Sequence, residues 1–183
     1  MKKTFLFLLI ILTSQLVKAQ SEDASENTFK KFKVDVSLGY AIPQGSGRKA
    51  GIIVALEPKY AVLQQLAIGL RIEAAALANL DYVGNSGTVT ALGSYLATGD
   101  YYFSNNSFRP FAGAGLGVYS SASSTVVNGS TTATTKAVSQ FGYMLRGGFE
   151  AGHFRLGIEY NFLKEKAGYF GLKLGVCIGG GRK

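Results

Sequence analysis

The chain has 183 residues and a formal net charge of +8; it is 47% hydrophobic but only 16% charged, and it carries one cysteine, Cys177. A single cysteine excludes an internal disulfide and a thiolate metal cluster. Beyond the first dozen residues no apolar run reaches the roughly 18 residues of a spanning helix, while Gly 24, Tyr 10, Phe 12 and Trp 0 suit a sheet protein of one domain.

Met1 to Ala19 reads as a secretory signal peptide. Lys2 and Lys3 form the basic start, Phe5 to Leu12 the apolar stretch, and Val17-Lys18-Ala19 the small-residue cleavage site. Cutting after Ala19 removes Lys2, Lys3 and Lys18 and lowers the charge from +8 to +5. No basic stripe with interleaved aromatics remains, so nucleic acid is not an expected partner. Gln20 to Lys31, with Glu22, Asp23 and Glu26, is expected to be a short polar periplasmic lead-in to a barrel over residues 32–183.

Eight strand candidates follow in order: Phe32–Ile42, Lys49–Ala61, Leu66–Ala78, Thr88–Phe103, Phe108–Ser120, Val138–Ala151, His153–Phe162 and Gly168–Gly179. Each is long enough for the ~9–11 residues of a tilted membrane strand. Val62–Gln65, Ser104–Ser107 and the region of Gly152 read as tight turns. Asn79–Gly87 and the Ser/Thr-rich Ser121–Ala137 read as longer loops, with Pro43–Arg48 and Leu163–Ala167 intermediate. Short turns at one end and longer loops at the other suit an outer-membrane barrel with both termini on the periplasmic side.

Period two then sorts the side chains into faces. The greasier register carries Val34, Val36, Leu38 and Tyr40; Ile52, Val54, Leu56 and Tyr60; Ile68, Leu70 and Ile72. It continues through Leu116, Val118, Tyr143, Leu145, Phe149, Leu156, Ile158 and Tyr160 to Leu172, Leu174 and Val176. Between the strand ends the other register carries every charge: Lys33, Asp35, Glu57, Lys59, Arg71, Glu73, Asp100, Arg109, Arg146, Glu150, Arg155, Glu159 and Lys173. Grease outside and charge inside predicts an all-β, eight-stranded antiparallel up-and-down transmembrane barrel. Its lumen is just wide enough for side chains to fill. The near balance of signs predicts a structural charge network across the lumen, with Gly113, Gly115, Gly117, Gly148, Gly157, Gly171 and Gly175 making room. On this register Leu174→Arg damages the lipid face, whereas Lys173→Leu disturbs only lumen packing. Tyr101, Phe103 and Phe108, and at the other end Phe162 and Tyr169, are expected in the interfacial girdles.

Three stretches carry a resemblance: Leu56-Glu57-Pro58-Lys59-Tyr60, Thr98-Gly99-Asp100-Tyr101-Tyr102-Phe103, and Arg109-Pro110-Phe111-Ala112-Gly113-Ala114-Gly115-Leu116-Gly117. From about Phe32 onward the chain resembles small outer-membrane β-barrels of the OmpX and OmpA transmembrane-domain type, in the form common in Bacteroidetes-type bacteria. The resemblance implies architecture more than activity, because such barrels host adhesins, structural proteins, small channels and a few enzymes. Many of them end on an aromatic residue, whereas this chain ends Gly179-Gly180-Gly181-Arg182-Lys183. No periplasmic peptidoglycan-binding domain is expected after the last strand.

Chemistry is hard to find. The one histidine, His153, lies at a turn, with Ser104 and Ser107 in a neighbouring turn, and reads as a polar turn residue rather than a catalytic base. Glu57 with Glu73, or Glu150 with Glu159, can share a proton or a cation, but the interleaved Lys59, Arg71, Arg146 and Arg155 point to charge pairing. Cys177 reads as a lumen-buried spectator. The expected protein is therefore not an enzyme and has no cofactor, metal or catalytic residue. It is expected to be a structural or surface-interaction scaffold whose partners are outer-membrane lipid and lipopolysaccharide. A protein can also dock at its extracellular loops or at a small-residue wall over Ala74–Ala78, Gly93, Ala97 and Gly99. The alternatives are a narrow channel for small solutes or ions, and an accessory subunit of a larger outer-membrane complex.

Overall fold

The computed structural model describes residues 30–44, 50–81, 86–127, 130–134, 137–164 and 168–180, with backbone alone over 78–81, 86–88, 125–127 and 130–134. The signal-peptide segment and most of the lead-in lie outside the described residues.

The strands are β1 (Phe32–Pro43), β2 (Gly51–Ala61), β3 (Leu66–Asp81), β4 (Ser86–Tyr102), β5 (Phe108–Val127), β6 (Ser130–Thr134), β7 (Val138–Ala151), β8 (Phe154–Phe162) and β9 (Tyr169–Gly179). Every neighbouring pair is antiparallel, and β1 closes on β9 from Lys33↔Gly179 to Pro43↔Tyr169. The wall is thus a closed eight-stranded barrel, with β6 a short strand pairing β5 above it.

Alternation decides which face each residue takes. Leu38, Leu70, Leu116, Leu145 and Leu174 are each at least half exposed, whereas Asp100 and Met144 are fully buried. Wall residues that would be core in a soluble protein therefore face out, which is stable only where the surrounding solvent is hydrocarbon.

Turn chemistry fixes one rim, the lower end of the barrel. Gly152 takes φ 62 in the tight β7–β8 turn there, and its N–H donates to Ser107 O at 3.1 Å in the neighbouring turn. A left-handed turn residue matches the twist of the flanking strands and favours glycine.

The upper end differs from the sequence expectation. Asn79–Gly87 and Ser121–Ala137 are not simply loops: β3 and β4 stay paired to Asp81↔Ser86, and β4 and β5 to Ser86↔Val127. β5 continues about six residues past its last pairing with β7 at Ser121, roughly 20 Å of strand. There β6 takes over the edge that β7 leaves, with a register shift between Thr125 and Val126. The sheet rises as a fin on one side, beside a low wall formed by the 9-residue β8 and 11-residue β9.

Candidate functional site: the closed lumen

From the lower rim upward the lumen is filled in layers. Arg109 comes first. Its Nη2 donates to Gln64 O at 2.9 Å, its Nε to Ser104 O at 3.3 Å, and its guanidinium lies 4.0 Å from the Tyr102 ring centre. Tyr102, Phe111 and Ala67 are buried together beside it.

Above this lies a cluster of eight charges. Asp100, 0% exposed, is its hub: Lys59 Nζ reaches Oδ2 at 2.6 Å, Arg155 Nη2 reaches Oδ2 at 2.8 Å, and Arg146 Nε reaches Oδ1 at 2.7 Å. Arg146 also grips Glu57 with both Nη atoms, at 2.7 and 2.6 Å. That two-pronged geometry is specific to a guanidinium on a carboxylate. Lys33 and Arg155 both pair with Glu150, whose carboxylate also accepts from Tyr102 Oη at 2.7 Å. Asp35 sits 2.6 Å from Lys59 Nζ without a well-aligned donor on either oxygen. Lys33, Lys59, Arg146 and Arg155 balance Asp35, Glu57, Asp100 and Glu150, so the cluster is neutral.

A second neutral cluster lies higher. Arg71 pairs with Glu159 at 2.7 Å and Glu73 at 3.1 Å, and Lys173 pairs with both carboxylates. Tyr169 donates to Glu73, Asn161 to Glu159, and Tyr119 to Asn161 Oδ1 at 2.8 Å. Above these, Ile53, Met144, Tyr119, Leu96, Leu77, Ala75 and Ala41 form an apolar cap. Between the clusters remains a void of about 30 Å³ bordered by Asp35, Glu57, Arg71, Arg146 and Lys173, room for about one water.

Small residues make this filling possible. A Cβ on Gly113 would collide with Asp100 Oδ1 and lie 2.6 Å from Gly99 O and 3.2 Å from Arg146 Nε; one on Gly171 would lie 2.9 Å from Glu159 Cγ. Gly113→Ala is therefore expected to cost about 1–3 kcal/mol by overpacking, read as a lower midpoint in denaturant titration of the vesicle-inserted barrel.

The paired carboxylates read from the sequence do not face one another as acid pairs: Glu57 is held by Arg146, Glu73 by Lys173 and Arg71, Glu150 by Arg155 and Glu159 by Arg71. His153 Nδ1 lies 2.8 Å from Cys177 O, and Ser104 Oγ accepts from Asn106 N–H at 3.1 Å, so each is engaged with backbone. Asp35, Glu150 and Cys177 bring their ligand atoms within 4.8 Å of one another. Ammonium and guanidinium groups of Lys33, Lys59 and Arg155 already match that charge, which makes the group a poor metal cradle.

Two readings of the wall need correction. Tyr169 is no girdle residue: it is 1% exposed and points into the lumen. Ala75 and Leu77 are also buried inside, so of Ala74–Leu77 only Ala74 and Ala76 face out. The upper aromatic belt is instead Tyr143 stacked on Phe162 at 4.5 Å with Tyr160 edge-on; Tyr101–Phe103 and Phe108–Phe149 form the lower one. The sequence reading missed Tyr102, Met144, Tyr119 and Asn161 as lumen partners, although their parity beside Asp100, Arg146, Gly117 and Glu159 carried the signal.

No protein-family model and no curated protein matches the chain. Among solved structures it is similar to Ail, the attachment invasion locus protein of Yersinia pestis, in complex with the heparin analogue sucrose octasulfate. That match has TM-score 0.59 and 14% identity, covering 81% of this chain and 100% of that one. A second structure of Ail matches with TM-score 0.54 at the same identity and coverage. Neisserial surface protein A matches with TM-score 0.57 and 18% identity, over 82% of this chain and 98% of that one. At such identities the likeness concerns the fold, and together with the lipid-suited exterior it gives the chain the architecture of the small eight-stranded outer-membrane barrels.

Proposed function

We propose that the protein is a non-enzymatic scaffold of the outer membrane, exported by its N-terminal signal peptide, which holds the β3–β6 fin above the cell surface as an interaction platform. The lower rim then faces the periplasm and the fin the exterior. The observation that carries this reading is the lumen itself. Two neutral ion clusters and an apolar cap fill it, leaving the charged interior to brace the wall rather than conduct. The fin is Ser/Thr-rich, and Thr90 and Ser123 join across it at 2.9 Å. Partner contacts there would be polar or made by strand addition at the outer edge of β6.

The test is single-channel recording of the folded protein in a planar bilayer, with heat-modifiable gel mobility as the check of folding. Silence is expected. Discrete, reproducible conductance steps would replace the scaffold reading with that of a narrow channel. A photo-crosslinker at Ser123 on intact cells is expected to capture one recurrent partner. Capture from Ala76 instead would favour an accessory subunit docked through the wall.

A further inference from the structure

The outer wall is not evenly studded. Along one oblique path the outward residues are short: Ala97 and Gly99 on β4 and Ala114 on β5. Long side chains flank them, Ile68 and Leu70 on β3 and Leu116 and Leu145 beyond. The result is an almost wholly apolar groove of about 860 Å³, ending at Tyr143 above and at Phe32 and Tyr60 below. Pro58 contributes to its depth. Lacking an N–H, it cannot donate to the ladder, and the β2–β3 pairing lapses at Glu57 and Pro58.

The lower mouth is basic. Lys30 and Lys31 immediately precede Phe32 and are exposed, and Lys31 O accepts from Ala61 N–H at 2.7 Å, fixing the chain beside Tyr60. Among the described residues no acidic side chain pairs with Lys30 or Lys31. A hydrocarbon track ending beside two exposed lysines matches an amphiphile with an apolar chain and an anionic head.

We infer that this groove binds one anionic phospholipid of the periplasmic leaflet, an acyl chain lying along Ala97, Gly99 and Ala114 and the phosphate meeting Lys30 and Lys31. The inference rests on the orientation proposed above. The groove faces lipid at every level, so an acyl chain reaches it without crossing the barrel rim. The headgroup supplies a charge opposite to that of Lys30 and Lys31.

Gly99 makes the test clean, because a Cβ there meets nothing within 4 Å. Gly99→Leu fills the groove without disturbing the backbone. Gly93→Leu is the control: it lies on the same strand outside the groove, with the nearest atom to an added Cβ, Glu73 O, 4.0 Å away. The detergent-solubilised full protein is titrated with dioleoyl phosphatidylglycerol or dioleoyl phosphatidylcholine and read by native mass spectrometry. One phosphatidylglycerol is expected to be retained, over phosphatidylcholine, by about fivefold per lysine at low salt. Gly99→Leu is expected to lower retention of both lipids about tenfold, and Gly93→Leu to leave it unchanged. Lys30→Gln with Lys31→Gln is expected to remove the preference for phosphatidylglycerol while keeping basal retention.

Equal retention of the two lipids, or retention indifferent to Gly99→Leu, overturns the inference. So does a dimer that Gly99→Leu dissolves, which would assign the groove to a second copy of the chain. The underlying orientation fails separately, if a membrane-impermeant maleimide labels Lys30→Cys on intact cells without permeabilisation.

Discussion

Asp100→Ala is expected to cost about 3–5 kcal/mol, a large fraction of the stability of a barrel this size. The carboxylate is 0% exposed and receives Lys59, Arg146 and Arg155. Removing it leaves three cations facing one another across a lumen with room for about one water between the clusters. Asp35, 2.6 Å from Lys59 Nζ, compensates only in part, because Glu57 is already held by both Nη atoms of Arg146 and Glu150 is shared by Lys33 and Arg155, which leaves four cations on three carboxylates. Asp100→Asn keeps the shape but not the charge and should recover little of the loss. Denaturant titration of the vesicle-inserted protein reads both variants. A shift below about 1 kcal/mol for Asp100→Ala would mean that the cluster is hydrated like a surface network.

Leu174→Arg and Lys173→Leu form the second pair, at adjacent positions on opposite faces. Leu174 is 50% exposed, paired between Leu38 and Leu156 on the outer wall. An arginine there meets hydrocarbon and is expected to cost about 2–4 kcal/mol. The sequence alone makes Lys173→Leu a packing change, and the structure revises that. Lys173 Nζ pairs with Glu73 and lies 2.8 Å from Glu159, so its loss leaves two buried carboxylates sharing Arg71. This variant is expected to be as damaging as the first, by about 3–5 kcal/mol. The heat-modifiable gel shift and the titration midpoint check both. A neutral Leu174→Arg would refute the assigned register.

The wall is legible in the sequence because one physical demand, grease toward lipid, repeats at every second residue; β1, β2, β7 and β9 show it plainly. The fin is not legible for the matching reason. Ser120 to Ser124 are all partly exposed on either parity, so Ser121 and Ser123 alternate with nothing contrasting, and the stretch reads as loop. Alternation also places a side chain on a face without naming its partner. Lys33 reaches Glu150 and Tyr102, distant in sequence, and only the closed circle brings them together. Tyr169 misleads because its place near a strand end suggests a girdle while its parity points inward. The groove depends on the relative heights of residues on six strands, which a linear reading does not hold.

Closure of β1 on β9 also has a temporal side. The lower ion cluster draws on β1, β2, β4, β7 and β8, almost the full circumference, while Lys173 on β9 completes the upper one. An open sheet with the same hairpins would keep the pairs between adjacent strands, Asp35–Lys59, Glu150–Arg155 and Glu159–Lys173, but lose those across the lumen, Lys33–Glu150, Arg146–Glu57, Arg155–Asp100 and Arg71–Glu159. Full pairing of the interior therefore arrives only with the seam. A half-inserted barrel has no comfortable resting point.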